Sequence, residues 1–390
     1  MVGRAGGAPS ICRRTVLPAT VLAALLLWLS LGGGRADAEV TTGASIDLYN
    51  SVLLSEGDAL AAGLAVAELE LAATDARDVR SRFVLRGTLY EQEGASGALV
   101  EVPRAEIRWR LFVGESYDLR VTAGRTRLSW GDGVVFNAGD VINGARPEEL
   151  DLTAEVLRDE TQWLTALYLP LGQFAFFEPV LLLPMYDPTI ETTGDGDSTA
   201  ADAGALAAWK TSGGGRIQFE ILGIKTETGY LYRGAEELHA PYLSLQGNLF
   251  LDLYGGASLE ITADRDSAEE DDLLLSAGAL HTGNHPRLGG WTLRSEALWS
   301  ERDRSLELYP EVTWSPSLLF SLFVRSRLLL LAEDRWADAD SFESSSSLGL
   351  TWAPATGLTL SLFGTQVSGG AGGAPPVGLT TITVALGYVF

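Results

Sequence analysis

Along most of the chain, apolar and polar side chains alternate one for one. From Val79 onward, Val79, Ser81, Phe83, Leu85, Gly87 and Leu89 fall on one face, with Arg80, Arg82, Val84, Arg86, Thr88 and Tyr90 on the other. Ala105, Ile107, Trp109, Leu111 and Val113 oppose Arg104, Glu106, Arg108, Arg110 and Phe112 in the same manner. Period-two alternation is the pattern of an extended strand whose two faces meet different media. It recurs at Trp291–Ser300, at Leu318–Leu330 and in a run from Tyr242 to Leu253 that reads as one long strand.

Strands of ten or more residues, each with one continuous polar face, suit an all-β transmembrane antiparallel β-barrel with lipid outside and a watery lumen inside. Closing the sheet pairs every edge, as a bilayer requires. A soluble antiparallel sandwich or barrel would alternate too, but with shorter strands and closer turns. Trp109, Trp163, Trp209, Trp314 and Trp352 fall near strand ends, where a membrane interface holds aromatic rings. Short turns are expected near Ala355, Pro316, Gly255, Gly214, Gly172 and Glu115. Long polar loops are expected at 367–378, 332–344, 263–271, 186–201 and 128–160. Counting from Val79 gives about 16 strands, and a further hairpin over Ala44–Ala72 would make 18. An even count returns both ends to one side.

The amino terminus bears on the compartment. Arg4, Arg13 and Arg14 precede an apolar run from Val16 to Leu31, and Ala36-Asp37-Ala38 supplies a small-x-small cleavage pattern. Residues 1–38 therefore read as a secretory signal peptide cut before Glu39. Residues 39–78 are expected to form either the first hairpin or a lumen plug, and 79–390 the barrel. Cleavage takes the net charge from -23 to -26 and removes Cys12, the chain's single cysteine. Disulfide, thiolate-metal and cysteine-nucleophile chemistry are excluded with it. So strong a negative charge also excludes nucleic acid as a partner, since it would repel phosphate.

Charge is unevenly spread. Between Arg77 and Arg127 there are 10 arginines against 7 acidic residues. Arg80, Arg82, Arg86, Arg108, Arg110 and Arg120, with Glu106 among them, take the lumen phase and are expected to line the pore as a basic stripe. Such stripes set selectivity. The segment after them, 140–160, carries Asp140, Glu148, Glu149 and Asp151 and is long enough to fold inward. One reading has this loop face the arginines across a constriction; the other has the arginines as hydrated wall with acidic neighbours.

The carboxy terminus, in which Ile382, Val384, Leu386, Tyr388 and Phe390 alternate with Thr381, Thr383, Ala385, Gly387 and Val389, resembles the β-signal of bacterial outer-membrane proteins. The resemblance implies that Thr383, Tyr388 and Phe390 are read by the barrel insertion machinery, with Phe390 at the periplasmic end. Ala385 stands where that signal usually has Gly. Gly124-Arg125-Thr126-Arg127-Leu128-Ser129-Trp130-Gly131-Asp132-Gly133, followed by Phe136-Asn137 and Asp140-Val141-Ile142-Asn143, resembles a stretch of large porin-like and alginate-export-type barrels. That resemblance implies an inward loop and names no substrate. Read from the residues alone, Trp130–Gly133 is equally a tight turn.

Enzyme signatures are thin. The mature chain holds only His239, His281 and His285, and has no Gly-x-Ser-x-Gly elbow, His-Glu-x-x-His or phosphate loop. The acidic run 264–272 lacks the spacing of an EF-hand. The reading is a non-enzymatic porin-like channel of the outer membrane without metal or cofactor, passing ions or small hydrophilic solutes. Its surroundings would be outer-membrane lipid and lipopolysaccharide. The alternative is a non-conducting surface or structural barrel.

Overall fold

The alternation resolves into one closed sheet in the computed structural model of the chain. It describes residues 39–390 apart from 56–57, 75–78, 93–94, 114–116, 148–149, 155–156, 184–189, 194–210, 263–270, 332–341 and 370–378. The leader expected at 1–38 lies outside the described residues, as do Trp209 and most of the acidic run 264–272.

The strands are β1 (Glu39–Ser55), β2 (Asp58–Thr74), β3 (Val79–Gln92), β4 (Ala95–Val113), β5 (Tyr117–Thr126), β6 (Gln162–Pro170), β7 (Ala175–Leu182), β8 (Ile190–Thr193), β9 (Ser212–Ile221) and β10 (Ile224–Arg233). They continue with β11 (Leu238–Asn248), β12 (Asp252–Thr262), β13 (Asp272–His285), β14 (Gly289–Ser300), β15 (Ser305–Ser317), β16 (Phe320–Leu331), β17 (Phe342–Ala355), β18 (Leu358–Gly369) and β19 (Leu379–Val389). Sequential neighbours pair antiparallel, β7 pairs with β9, and β19 returns to β1, so 18 strands close the barrel. The count is the larger of the two expected, because Glu39–Thr74 forms a wall hairpin between β19 and β3. β8 stands apart from the ring, pairing Ile190–Thr193 with Val100–Gly97 of β4. It finds that edge because β5 ends at Thr126, one residue past the Arg125–Ala105 pair, leaving the upper part of β4 without β5 beside it.

Glu39 and Phe390 lie at one rim, here the terminal rim, which also carries short turns at 171–174, 222–223, 249–251, 286–288, 318–319 and 356–357. The connections from β5 to β6 and from β7 to β9 leave the sheet at the opposite rim. Two glycines expected in turns are strand residues instead. Gly214 lies in β9, where a Cβ would come within 2.8 Å of Leu231 Cα, and Gly255 in β12, where one would sit 3.1 Å from the Ser276 carbonyl. In both places glycine permits close backbone approach rather than reversal. The reversals are made by Leu222-Gly223, with φ of 55° and 77°, and by 249–251. Two successive left-handed residues form the tight hairpin turn that fits strand twist. The run 242–253 is accordingly split between β11 and β12.

Exposed aliphatic side chains cover the outer face, including Ile46, Leu48 and Val52 of β1, Leu243 and Leu245 of β11, and Val312 and Val324 of β15 and β16. Trp314, Trp352 and Tyr388 stand on the same face near the terminal rim. The inner face carries the charges. One irregularity adjusts the phase: between Val84 and Arg86 the register of β3 against β4 slips, so Glu101 and Arg104, of opposite parity, both face inward.

Candidate functional site

The lumen is crossed by residues 127–161, and the conspicuous motif residues are what fold that segment. Trp130 is fully buried and stacks on Tyr242 of β11 at 5.7 Å between ring centroids. Asn137 donates from Nδ2 to the Trp130 carbonyl at 2.9 Å and accepts from Gly139 N–H at 3.0 Å. Asn143 donates to the Leu128 carbonyl at 2.8 Å, and Asp140 accepts from Ser129 Oγ at 2.8 Å. Gly131, at φ 71°, leaves a gap that a Cβ would fill at 2.8 Å from Gly139 Cα. These contacts are all within the chain, and they close the loop on itself.

Wall carboxylates then hold the loop by its backbone. Glu296 of β14 accepts from three successive amides, Val134 at 3.1 Å, Val135 at 2.8 Å and Phe136 at 2.7 Å, and from Tyr254 Oη at 2.6 Å. Glu227 of β10 accepts from Gly131 N–H and from Tyr242 Oη. Ser276 of β13 accepts from Ala138 N–H at 2.9 Å. From the other direction, Arg325 of β16 donates to the Ala154 carbonyl at 2.6 Å, and Arg233 of β10 to the Val141 carbonyl at 2.9 Å. Lys225 pairs with Asp132 at 2.7 Å, and Arg146 pairs with Glu307. Charge-assisted bonds in a site with little water are the strong class.

Apolar packing completes the attachment in two patches. Trp130, Val141 and Ile142 pack on Leu164, Val180, Leu231 and Tyr242. Val135, Phe136, Leu152 and Leu157 pack on Leu274, Leu298 and Tyr309. Gly256 of β12 has no Cβ to hold Gly139 off, its ideal position lying 3.1 Å from Gly139 N.

The basic stripe is divided by its partners. Arg82 pairs with Glu70, and Arg86 with Glu68, with Glu101 at 3.0 Å and with Asp159 of the loop at 3.5 Å. Nearer the terminal rim the pairing thins out. Arg80 opposes Arg108, and Arg110 opposes Arg120, across adjacent strands. Arg108 is held by Glu106 at 3.0 Å and Arg110 lies 3.6 Å from Asp118. Arg120 lies over the Tyr168 ring at 4.1 Å. Among the described residues no carboxylate is in ion-pair reach of Arg80, Arg120 or Arg127. With Thr122, these arginines line a cavity of about 370 Å³ beside the base of the loop.

The expected loop acids are placed differently from one another. Asp140 is turned into the loop's own core, 3.5 Å from the buried Arg158. Burial pushes its carboxyl above the ordinary carboxylate value, against the lowering by Arg158 and by its Ser129 and Asn143 donors. Asp151 folds back on Thr153, accepting from its amide at 2.8 Å and its hydroxyl at 2.6 Å. Glu148 and Glu149 lie outside the described residues. Among the described loop acids, Asp159 meets the arginine wall, at Arg86. Glu106 is buried, accepting from Thr126 as well as Arg108. At the carboxy terminus Thr383 bonds Ser51 across the β19–β1 seam at 2.8 Å, Tyr388 meets Phe390 edge-on at 4.5 Å, and Phe390 N–H donates to the Ala44 carbonyl at 2.8 Å.

His239 lies on β11 against Tyr230 and Tyr232, and His281 on β13 against Trp291, both in outward phase. The anchors Glu227, Arg233, Glu296 and Arg325 were not among the expected site residues. The strand phase of Glu296 was readable, but its partners lie about 160 residues upstream.

No family model matches the chain, and no curated protein matches it. Solved structures do. OccK2 (OpdF) of Pseudomonas aeruginosa matches with a TM-score of 0.55 at 9% identity over 90% of this chain and 98% of that one. OccK11 (OpdR) of the same organism matches with 0.51 at 11% identity, over 90% and 96%. OccK2 in complex with glucuronate gives 0.54 at 9% identity, over 90% and 96%. These neighbours are outer-membrane porins, and the chain has their barrel fold.

Proposed function

We propose that the protein is an outer-membrane channel for passive diffusion of small hydrophilic solutes, with a preference for anions. One observation carries this reading: wall carboxylates Glu227 and Glu296 pin the inward loop by its backbone, while Arg80, Arg120 and Arg127 have, among the described residues, no carboxylate in ion-pair reach and line a cavity of about 370 Å³. A guanidinium beside a low-dielectric wall attracts and orients a passing anion. Other lumen charges are paired, within the wall as in Arg82–Glu70 or with the loop as in Arg146–Glu307.

Planar-bilayer recording of the refolded chain 39–390 in asymmetric salt tests this. Stable current steps with an anion-selective reversal potential are expected despite the net negative charge. The triple variant Arg80→Ala, Arg120→Ala, Arg127→Ala is expected to shift the reversal potential toward cations and to weaken current block by glucuronate, the solute bound to one similar barrel. Silence from a folded barrel, or a reversal potential unmoved by the triple variant, would count against the reading.

The carboxy-terminal strand supplies a second expectation. Removing Phe390 takes away the Tyr388 ring contact and the amide bond to Ala44 at the closing seam. The insertion machinery is the proposed reader of this end, so accumulation of heat-modifiable barrel in membranes is expected to fall sharply, while refolding of purified chain in detergent is affected less. Equal loss in both settings would point to seam stability alone.

A further inference from the structure

Five turns at the periplasmic rim, from β6–β7 to β15–β16, carry large apolar side chains where water is expected. Leu222 is 97% exposed, Phe250 79%, Leu249 77% and Phe174 70%; Leu318 is wholly exposed and Leu288 largely so. Such side chains at a loop tip fill no core. The β17–β18 turn differs, presenting Thr356 and Gly357.

Strand length gives an independent indication. β1 and β2 have 17 residues each, whereas β6 has 9 and β7 has 8. Eight residues at ~3.3 Å rise, inclined ~40°, span roughly 20 Å, short of the ~25 Å apolar band of a membrane barrel. At the β6–β7 end of this sector the strands stop before the band does, while β9–β16 have 10 to 14 residues each. The apolar turns begin where the strands stop and are continuous with the outer aliphatic face. Trp314 of that face donates to the Leu288 carbonyl at 2.7 Å, tying the aromatic belt directly to a turn.

We infer that the turns from β6–β7 to β15–β16 are immersed in the inner leaflet of the outer membrane, with their Leu and Phe side chains among phospholipid acyl chains. The barrel is thereby seated with this sector deeper than the β17–β18 sector. The inference rests on the membrane-channel reading above.

The mature chain has no cysteine, so single-cysteine variants can be labelled cleanly. Leu222→Cys and Leu318→Cys test the turns, Val312→Cys reports the mid-strand outer face, and Thr356→Cys reports the polar turn. Each variant, carrying an environment-sensitive fluorophore and confirmed as folded by heat-modifiability, is placed in phosphatidylethanolamine–phosphatidylglycerol vesicles. Brominated lipid and aqueous iodide serve as competing quenchers. Blue-shifted emission at positions 222 and 318, quenched by brominated lipid as strongly as at 312 and poorly by iodide, is expected. Iodide-accessible emission at either turn, resembling position 356 while 312 remains lipid-quenched, overturns the inference and leaves the barrel reading standing. Iodide access at 312 itself overturns the barrel reading and the inference with it.

Discussion

Replacing Glu296 with alanine is expected to release the middle of the inward loop and to raise single-channel conductance and open-channel noise. The carboxylate accepts from the amides of Val134, Val135 and Phe136 and from the Tyr254 hydroxyl. No basic side chain pairs with it among the described contacts, so the aligned amides are its main compensation, as in a backbone nest. Truncation strands these donors in a buried setting at about 1–3 kcal/mol each, on the order of 5 kcal/mol of attachment once lumen water relieves some of them. The barrel itself should survive, since the β13–β14 and β14–β15 ladders are made by backbone. Glu296→Gln would loosen the loop by a smaller amount, because its amide keeps one acceptor oxygen but points two donors at donors. Conductance and noise indistinguishable from the parent protein in Glu296→Ala would show that this carboxylate does not hold the loop.

That anchor marks the division between what the sequence states and what only the fold supplies. Alternation identifies a face wherever a strand is regular, because successive side chains project to opposite sides, and so the lumen phase of Arg80, Arg82, Arg110 and Glu296 was legible. The long connection expected at 128–160 was legible too, and it falls between β5 and β6. The partner of a lumen side chain is set by barrel closure and loop conformation, over separations that local pattern does not encode. Hence Arg82 and Arg120 looked alike in sequence, yet one meets Glu70 and the other stacks on Tyr168. Glycine misled for the same reason. A glycine that reverses the chain and one that admits a neighbouring backbone, such as Gly214, carry the same letter. The four-residue β8 carries too short a period to be seen, and the register slip in β4 shifts the phase within a single strand.

Trp130→Ala is expected to detach the loop from its other side, and limited proteolysis should reveal it. The ring is fully buried, stacks on Tyr242 at 5.7 Å and donates to Glu178 at 3.3 Å. Removing a buried tryptophan costs about 3–5 kcal/mol. Trypsin added to the folded barrel is expected to leave Arg158, which is buried in the parent, intact, and to cleave there in the variant. Protection of Arg158 in a folded Trp130→Ala barrel would refute the expectation. The double variant with Glu296→Ala then asks whether the loop is one unit. Asn137 binds the Trp130 carbonyl and the Gly139 amide, and Asn143 reaches back to Leu128, so the two apolar patches share one hydrogen-bonded frame. Residues in one network do not contribute independently. Once either anchor is lost the frame should release as a whole, so the double variant should be cleaved little faster than the more sensitive single one. Rates that multiply would instead mean two separately attached halves, each constricting the lumen on its own.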